Sequence, residues 1–342
     1  MNNCLELRVC QKKSESRLIG FGRIGRLTYR ASLQHPEIEV VAINNRSTAE
    51  QTARMFKYDS VHGTFDGEVS FDEEHIIVDG HKIRKLQVND PKELPWKDFD
   101  VDVVVECTGV FRTKEQASWH LEAGAKKVLL SAPAKGEEPV KTIVLGVNDE
   151  ELKAEDVLLS NASCTTNCFA PIAKVLNDNF GIELGYMATV HAYTADQQLV
   201  DGKHKDPRRA RAAALNVCPT TSGAAKAVCE VIPELQGKLN AEAVRVPVPD
   251  GSLVYFVATL NKETSAEEIN NLFREVSEHH MKGILRFCED PVVSSDIVGD
   301  SHSCVFDSLL TSANGKMVKI VAWYDNEYGY SCRMADMLVK MG

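Results

Sequence analysis

The sequence predicts an α/β protein: a doubly wound parallel-sheet domain, then an α+β domain with a largely antiparallel sheet. Three observations predict it. In the first third, short and nearly continuous Val/Ile/Leu runs alternate with helical patterns, as strands covered on both faces by crossover helices require. A glycine-rich turn opens the first of those helices. Beyond about Asn161 the strands lengthen and alternate apolar with polar residues, the pattern of a sheet with one solvated face. At 342 residues the chain is also long for one hydrophobic core.

Residues 1–16 are polar and mixed in charge, lack the apolar core of a secretory signal, and read as a variable or frayed terminus. The first strand is thin, with only Leu18 and Ile19 apolar before the glycines. Either Leu7 and Val9 upstream contribute to it or this edge of the site is weakened. A helix is expected from Arg23 to about Gln34, then strands at 39–44, 101–107, 127–131 and 142–147. A helix follows Cys164 to about Asn179, with strands at 183–190, 253–260 and 316–323. An irregular basic stretch, 195–219, holds Lys203, Lys205, Arg208, Arg209 and Arg211. We expect the first domain at 1–162, the second at 163–326, and a final helix at 327–342 packing back on the first.

A net charge of −10 argues against binding of nucleic acid or anionic membrane by the whole surface. No apolar run approaches the roughly 18 residues of a membrane span. Ten irregularly spaced cysteines read as reduced thiols of a cytoplasmic protein. Cys164 and Cys168 lack a second Cys or His pair, so no metal site is expected.

Gly20-Phe21-Gly22-Arg23-Ile24-Gly25 is a G-x-G-x-x-G turn at the start of a helix. Such a turn lets backbone N–H groups approach a pyrophosphate, with the helix N-terminus facing its charge, the Rossmann arrangement for a dinucleotide. At the end of the second strand an acidic residue normally accepts from both ribose hydroxyls and repels a 2′-phosphate. This chain has Asn45 and Arg46 instead. Loss of the carboxylate and gain of a guanidinium fit a 2′-phosphate; the alternative is that Arg46 points to solvent.

Cys164 lies among small hydroxyl residues just before a helical pattern. There the unpaired N–H groups stabilise a thiolate and can hold an oxyanion. His191 ends an apolar strand, where it can serve as the base for such a thiol.

The segments SNASCTTNC, HAYTADQQLVDG, RRARAAALN, PTTSGAAKAV, RVPVPDGS, SSDIVGDSHS and WYDNEYGYS occur in order, after GFGRIGR, FKYDSVHGTF and ECTGVF. From Leu18 to the C-terminus the chain closely resembles the phosphorylating glyceraldehyde-3-phosphate dehydrogenases. The resemblance implies that Cys164 is the nucleophile and His191 its acid–base partner. It places Thr194 and Arg245 at the substrate phosphate, and Ser163, Thr165, Ser222 and Gly223 at inorganic phosphate. One arginine of RRAR, Arg209 or Arg208, is expected beside them. For the cofactor it implies Arg23 and Ile24 at the pyrophosphate; Thr108, Gly109, Phe111 and Ser131 along the wall; Asn326 at the nicotinamide carboxamide; and Tyr330 nearby. Ser222 stands where threonine is usual, and Ile19 where asparagine is frequent. Gly202 and Lys203 replace the bulkier residues of members strict for NAD. With Asn45 and Arg46 they lean the expectation towards NADP or dual use of NAD and NADP. The resemblance also implies a homotetramer acting on glyceraldehyde 3-phosphate and inorganic phosphate. Two alternatives are an erythrose-4-phosphate dehydrogenase and a non-catalytic binding protein on the same fold. The intact Cys164, His191, Arg245 and Asn326 weigh against the second.

Overall fold

The computed structural model describes residues 14–342. The first sheet comprises β1 (Ser14–Ile19), β2 (Ile38–Asn44), β3 (Val69–Phe71), β4 (His75–Val78), β5 (His81–Leu86), β6 (Val103–Glu106), β7 (Lys127–Leu130), β8 (Lys141–Thr142) and β9 (Leu158–Ser160). Its order is β3-β4-β5-β2-β1-β6-β7-β9-β8. All neighbours are parallel except the β3-β4-β5 meander at one edge. The helices α1 (Arg23–Ser32), α2 (Ala49–Lys57) and α3 (Lys114–Glu122) accompany it. From β1 the chain moves outward through β2, and from β6 outward the other way, so a crevice opens between the carboxyl ends of β1 and β6.

The strand expected to be thin is central. β1 pairs with β2 on one edge and β6 on the other, with a register shift between Ser16 and Arg17. Backbone pairing on both edges makes it a strand despite its polar composition. Residues 14–16, read as part of the terminus, begin it; Leu7 and Val9 lie outside the described residues.

One expected strand does not form. The run 142–147 is strand only at β8; Ile143 and Val144 are buried in irregular backbone and Leu145 and Val147 in a turn. Asn148 accepts the Val144 N–H at 2.9 Å and donates to the Thr142 carbonyl at 3.0 Å, while Asp149 accepts the Gly146 N–H at 2.8 Å. These side chains satisfy the backbone that a ladder would otherwise satisfy. The apolar run reported burial, not extension.

The second sheet holds β10 (Ile182–Ala192), β11 (Cys218–Thr221), β12 (Leu239–Val246), β13 (Ser252–Leu260), β14 (Leu285–Cys288), β15 (Cys304–Asp307), β16 (Ser312–Asn314) and β17 (Met317–Tyr324). Its order is β11-β12-β10-β13-β17-β15-β14, with β16 on β17. Only β10-β12 and β14-β15 are parallel. The basic stretch is thus irregular up to Val217 and then enters β11. Helices α4 (Cys164–Phe180), α5 (Ala224–Val231), α6 (Ala266–Glu278) and α7 (Ser294–Ile297) belong to this half, and α8 (Tyr328–Met341) closes the chain.

Phe169, Ile172 and Leu176 of α4 share a core with Phe256, Phe306 and Ile320 of the sheet. Each such buried side chain contributes about 1.5–3 kcal/mol, so α4, and the cysteine at its head, is firmly seated. Met334, Met337 and Leu338 of α8 instead join Tyr29, Val103 and Leu129 in the core of the first sheet. No helix among the described residues is long and apolar enough to cross a membrane.

Candidate active site

Cys164 is the first residue of α4 and Ser163 its cap, the Ser163 hydroxyl accepting the Thr166 N–H at 3.1 Å. The chain reaches this point through Ala162, which is fully buried at φ +54°. A left-handed conformation costs an L-residue about 1–2 kcal/mol. It is held by two hydrogen bonds: the Ala162 N–H donates to Ser160 Oγ, and the Tyr330 hydroxyl donates to the Ala162 carbonyl, both at 3.1 Å. This strained corner turns the chain from β9 into α4 and aims the thiol.

His191 lies one residue from the end of β10, and the parallel register with β12 places Arg245 opposite it. Cys164 Sγ is 3.6 Å from His191 Nε2. His191 Nδ1 lies 2.8 Å from Arg245 Nη1 and 2.7 Å from the Ala192 carbonyl. Burial, reinforced by the Arg245 charge, lowers the imidazole to about 3, so it is neutral. Burial pushes the Cys164 thiol up, and Arg245 opposes that shift. With Nδ1–H donated to Ala192, Nε2 presents a lone pair to the thiol. With Arg245 donating to Nδ1, Nε2 carries the proton instead. The Tyr324 ring meets His191 edge-on, with centroids 5.9 Å apart. Its hydroxyl lies 2.9 Å from Thr165 Oγ1 and 2.8 Å from Thr189 Oγ1.

Arg245 Nε is buried without a hydrogen-bond partner, an arrangement that suits an anion. Arg209 is ion-paired to Asp196, donates through Nε to Thr220 Oγ1 at 3.0 Å, and adds positive field at both His191 and Arg245. Arg208 is exposed and Arg209 half-buried, so of the two arginines Arg209 is the one turned towards His191 and Arg245. Gly223 caps α5, and the Ser222 hydroxyl accepts the Ala224 N–H at 3.2 Å. Helix α5 packs on α4. Thr194 follows β10, its N–H donating to Gln197 at 3.4 Å.

The crevice beside β1 and β6 is a cavity of about 490 Å³ whose lining includes Gly20, Gly22, Asn45, Arg46 and Thr108. Gly20 has φ +78°, and a Cβ there would lie 2.7 Å from the Thr108 nitrogen; one on Gly25 would strike the Gly20 carbonyl. A Cβ on Gly22 would meet only open space. The turn is therefore tight inside and bare outside, which fits a pyrophosphate. Arg23 turns away from it, donating to Glu327 at 2.9 Å and to Asp59 at 2.7 Å. Arg26, which the sequence reading passed over, lines the cavity with its Nε buried and unpartnered. Asn45 Oδ1 accepts the Ser47 N–H at 3.2 Å and Nδ2 donates to Thr52 Oγ1 at 3.2 Å, the Thr52 hydroxyl itself donating to the Thr48 carbonyl at 2.7 Å, while Arg46 is exposed at the rim. Gly109 has φ +68°, and the Ser131 N–H donates to the Glu106 carbonyl at 3.0 Å. Asn326 is buried and accepts the Ser252 hydroxyl at 2.6 Å; Ser252 in turn accepts the Ala192 N–H at 3.0 Å. Gly202 and Lys203 are exposed on the basic loop.

Two family models match the chain: the glyceraldehyde 3-phosphate dehydrogenase NAD binding domain over residues 17–114, and the C-terminal domain over residues 163–326. The glyceraldehyde-3-phosphate dehydrogenase of Geobacillus stearothermophilus is 54% identical over 321 residues, 93% of this chain and 95% of the relative. Glyceraldehyde-3-phosphate dehydrogenase 2 of Bacillus subtilis is 51% identical over 93% of this chain and 94% of its own length. Glyceraldehyde-3-phosphate dehydrogenase 3 of Saccharomyces cerevisiae is 52% identical over 93% and 96%. The chain belongs to the glyceraldehyde-3-phosphate dehydrogenase family.

In this family member a polar hub links the glycine turn of the first half to the loops before β13 and after β17. Arg23 of the glycine turn pairs with Asp59 and Glu327. His62 Nε2 lies 3.3 Å from both Asp250 and Glu327. Asp325 caps α8 through the N–H groups of Glu327 and Tyr328, at 2.8 and 2.6 Å. Asn326 is thus flanked by two residues anchored in the hub. No local pattern revealed it, because its members come from four separate segments of chain.

Proposed function

We propose that the chain oxidises and phosphorylates D-glyceraldehyde 3-phosphate to 1,3-bisphosphoglycerate. The observation that carries this reading is the Cys164–His191 pair, 3.6 Å apart at a helix N-terminus. In the tautomer that donates Nδ1–H to the Ala192 carbonyl, neutral His191 takes the thiol proton on Nε2 as Sγ bonds to the aldehyde carbon, then gives it to the carbonyl oxygen to complete a hemithioacetal. A nicotinamide dinucleotide in the crevice supplies the hydride acceptor. As the hydride leaves carbon, His191 takes the hydroxyl proton, and a thioester remains on Cys164. Phosphate oxygen attacks the thioester carbonyl, the C–S bond breaks, and the thiolate departs as the acyl phosphate is released. Arg245 and Thr194 hold the phosphate of the substrate. Ser163, Thr165, Ser222, Gly223 and Arg209 hold the attacking phosphate. Turnover should therefore require inorganic phosphate, and Cys164→Ser should lower kcat by at least about 10⁴-fold while dinucleotide binding persists. Turnover indifferent to phosphate, or retained by the serine variant, would overturn the thioester route.

The residues lining the crevice include Arg26 and Arg46 and no acidic side chain. This supports use of NADP as well as NAD. Asn45→Asp keeps the acceptor that the Ser47 N–H already bonds, requires the Thr52 hydroxyl to turn from the Thr48 carbonyl and donate to it, and restores the carboxylate. It should shift kcat/KM towards NAD by roughly tenfold; unchanged preference refutes the ribose argument.

A homotetramer is supported by Leu199, Val200, Leu215 and Val217, which are widely exposed on the basic loop and its flank. Sedimentation equilibrium giving a monomer would refute it.

A further inference from the structure

Glu106 ends β6 with its carboxylate fully buried. One oxygen accepts the Thr108 N–H at 2.6 Å and also the Thr108 hydroxyl. The other lies 3.3 Å from Nε2 of His120, a fully buried residue of α3. His120 Nδ1 is in turn 3.5 Å from the indole nitrogen of Trp96. An indole N–H can only donate. Nδ1 is therefore an acceptor, and the imidazole proton sits on Nε2 and is given to Glu106. Trp96, His120, Glu106 and Thr108 form one relay whose donors converge from both sides on the Glu106 carboxylate, and each break in it would leave a buried polar group unpaired.

The relay ties together two separate segments that line the crevice. Thr108, Val110 and Phe111 belong to one; Val88, Pro91 and Leu94, just before Trp96, belong to the other. The second segment adjoins the ribose loop, since Gln87 donates to the Arg46 carbonyl at 3.1 Å and Val88 pairs with Asn44 at 2.9 Å. Thr108 also abuts Gly20 so closely that drift of its backbone would close the glycine turn.

We propose that Glu106, oriented by His120 and Trp96, is a positioning residue for the dinucleotide: it locks the Thr108 turn against the 88–94 segment and sets the width of the crevice at its adenosine end. This rests on the reading of the crevice as the dinucleotide site.

The direction of the relay's hydrogen bonds supplies the test. In Glu106→Gln the amide oxygen can still serve Thr108, but its NH₂ then meets the Nε2–H of His120. Moving that proton to Nδ1 sets it against the Trp96 N–H. Trp96→Phe removes this second conflict. Titration calorimetry on the full chain would measure NAD and ADP-ribose binding to the wild type, both single variants and the double variant. Glu106→Gln should weaken both ligands by roughly tenfold, and the double variant should recover most of the loss. In turnover the defect should fall on the KM for dinucleotide and not on kcat. Unchanged ADP-ribose affinity in Glu106→Gln, or strictly additive losses in the double variant, would overturn the proposal. If Glu106→Gln does not fold, Thr108→Ala removes the hydroxyl end of the relay, and wild-type ADP-ribose affinity in that variant overturns it equally. A wild-type protein that binds neither NAD nor ADP-ribose would instead refute the reading of the crevice.

Discussion

At His191 the proposed chemistry and the stability of the fold depend on the same titration. Its imidazole is held neutral by burial and by Arg245, with its ordinary value near 6.5 lowered to about 3. Between those two values the unfolded chain binds a proton that the folded chain refuses. Stability should therefore fall as pH drops from about 6.5 towards 3, by about 1.4 kcal/mol per pH unit from this group alone. His191→Asn removes the titration, so chemical denaturation across this range should show a shallower slope; an identical slope would contradict the assignment. The same substitution should reduce kcat by roughly 10²–10⁴-fold. Arg245 was legible as an anion binder from the resemblance. Its second role, keeping the imidazole unprotonated, was not, because 54 residues separate the two in sequence and only the β10–β12 register makes them neighbours.

At the scale of the element, the corner between β9 and α4 carries the most information. The helix and its N-terminal cysteine are legible in the sequence, but the role of Ala162 is not, since its type gives no hint of a positive φ. The left-handed conformation is imposed by the seating of β9 and α4 and kept by the Tyr330 hydroxyl, an interaction across 168 residues. Ala162→Gly should relieve the backbone strain and raise stability by up to about 1 kcal/mol. The same change loosens the presentation of Cys164, so kcat should fall. Thermal unfolding and steady-state rates on one preparation would check both, and a less stable variant would show that the corner is not strained. The missing strand at 142–147 teaches the converse. A buried apolar run with Gly146 at φ +77° and Asn148 at hand folds as turns, since side-chain hydrogen bonds compete successfully with the ladder.

For the molecule as a whole, the hub around Arg23 decides how the glycine turn is tied to the loops before β13 and after β17. Arg23 lies in the turn that the resemblance sets at the pyrophosphate; its side chain crosses to Glu327 and Asp59, and Arg26 lines the crevice beside that turn. Glu327→Gln would leave the partly buried guanidinium with one carboxylate instead of two. The expected cost is about 1–3 kcal/mol, discounted because Arg23 remains 32% exposed. Dinucleotide affinity should fall with it, since the glycine turn and the Asn326 segment share this anchor. Urea denaturation and a binding titration would measure the two effects, and neither would change if the hub were only a surface pair.

The sequence by itself determined the two-part α/β architecture, the glycine turn, the cysteine at the helix N-terminus and the family, because periodicity and contiguous motifs are local and survive without coordinates. Even the polar first strand was placed, through the glycines that follow it. Tertiary structure alone decided which nitrogen of His191 faces the thiol, that Arg209 and not Arg208 is half-buried beside Thr220 and Asp196, that Ala162 is strained, and that Arg23 belongs to a hub. Each of these depends on groups brought together by strand register and helix packing from distant parts of the chain. Their energies come from burial and from the direction of hydrogen bonds, which exist only once the core has closed.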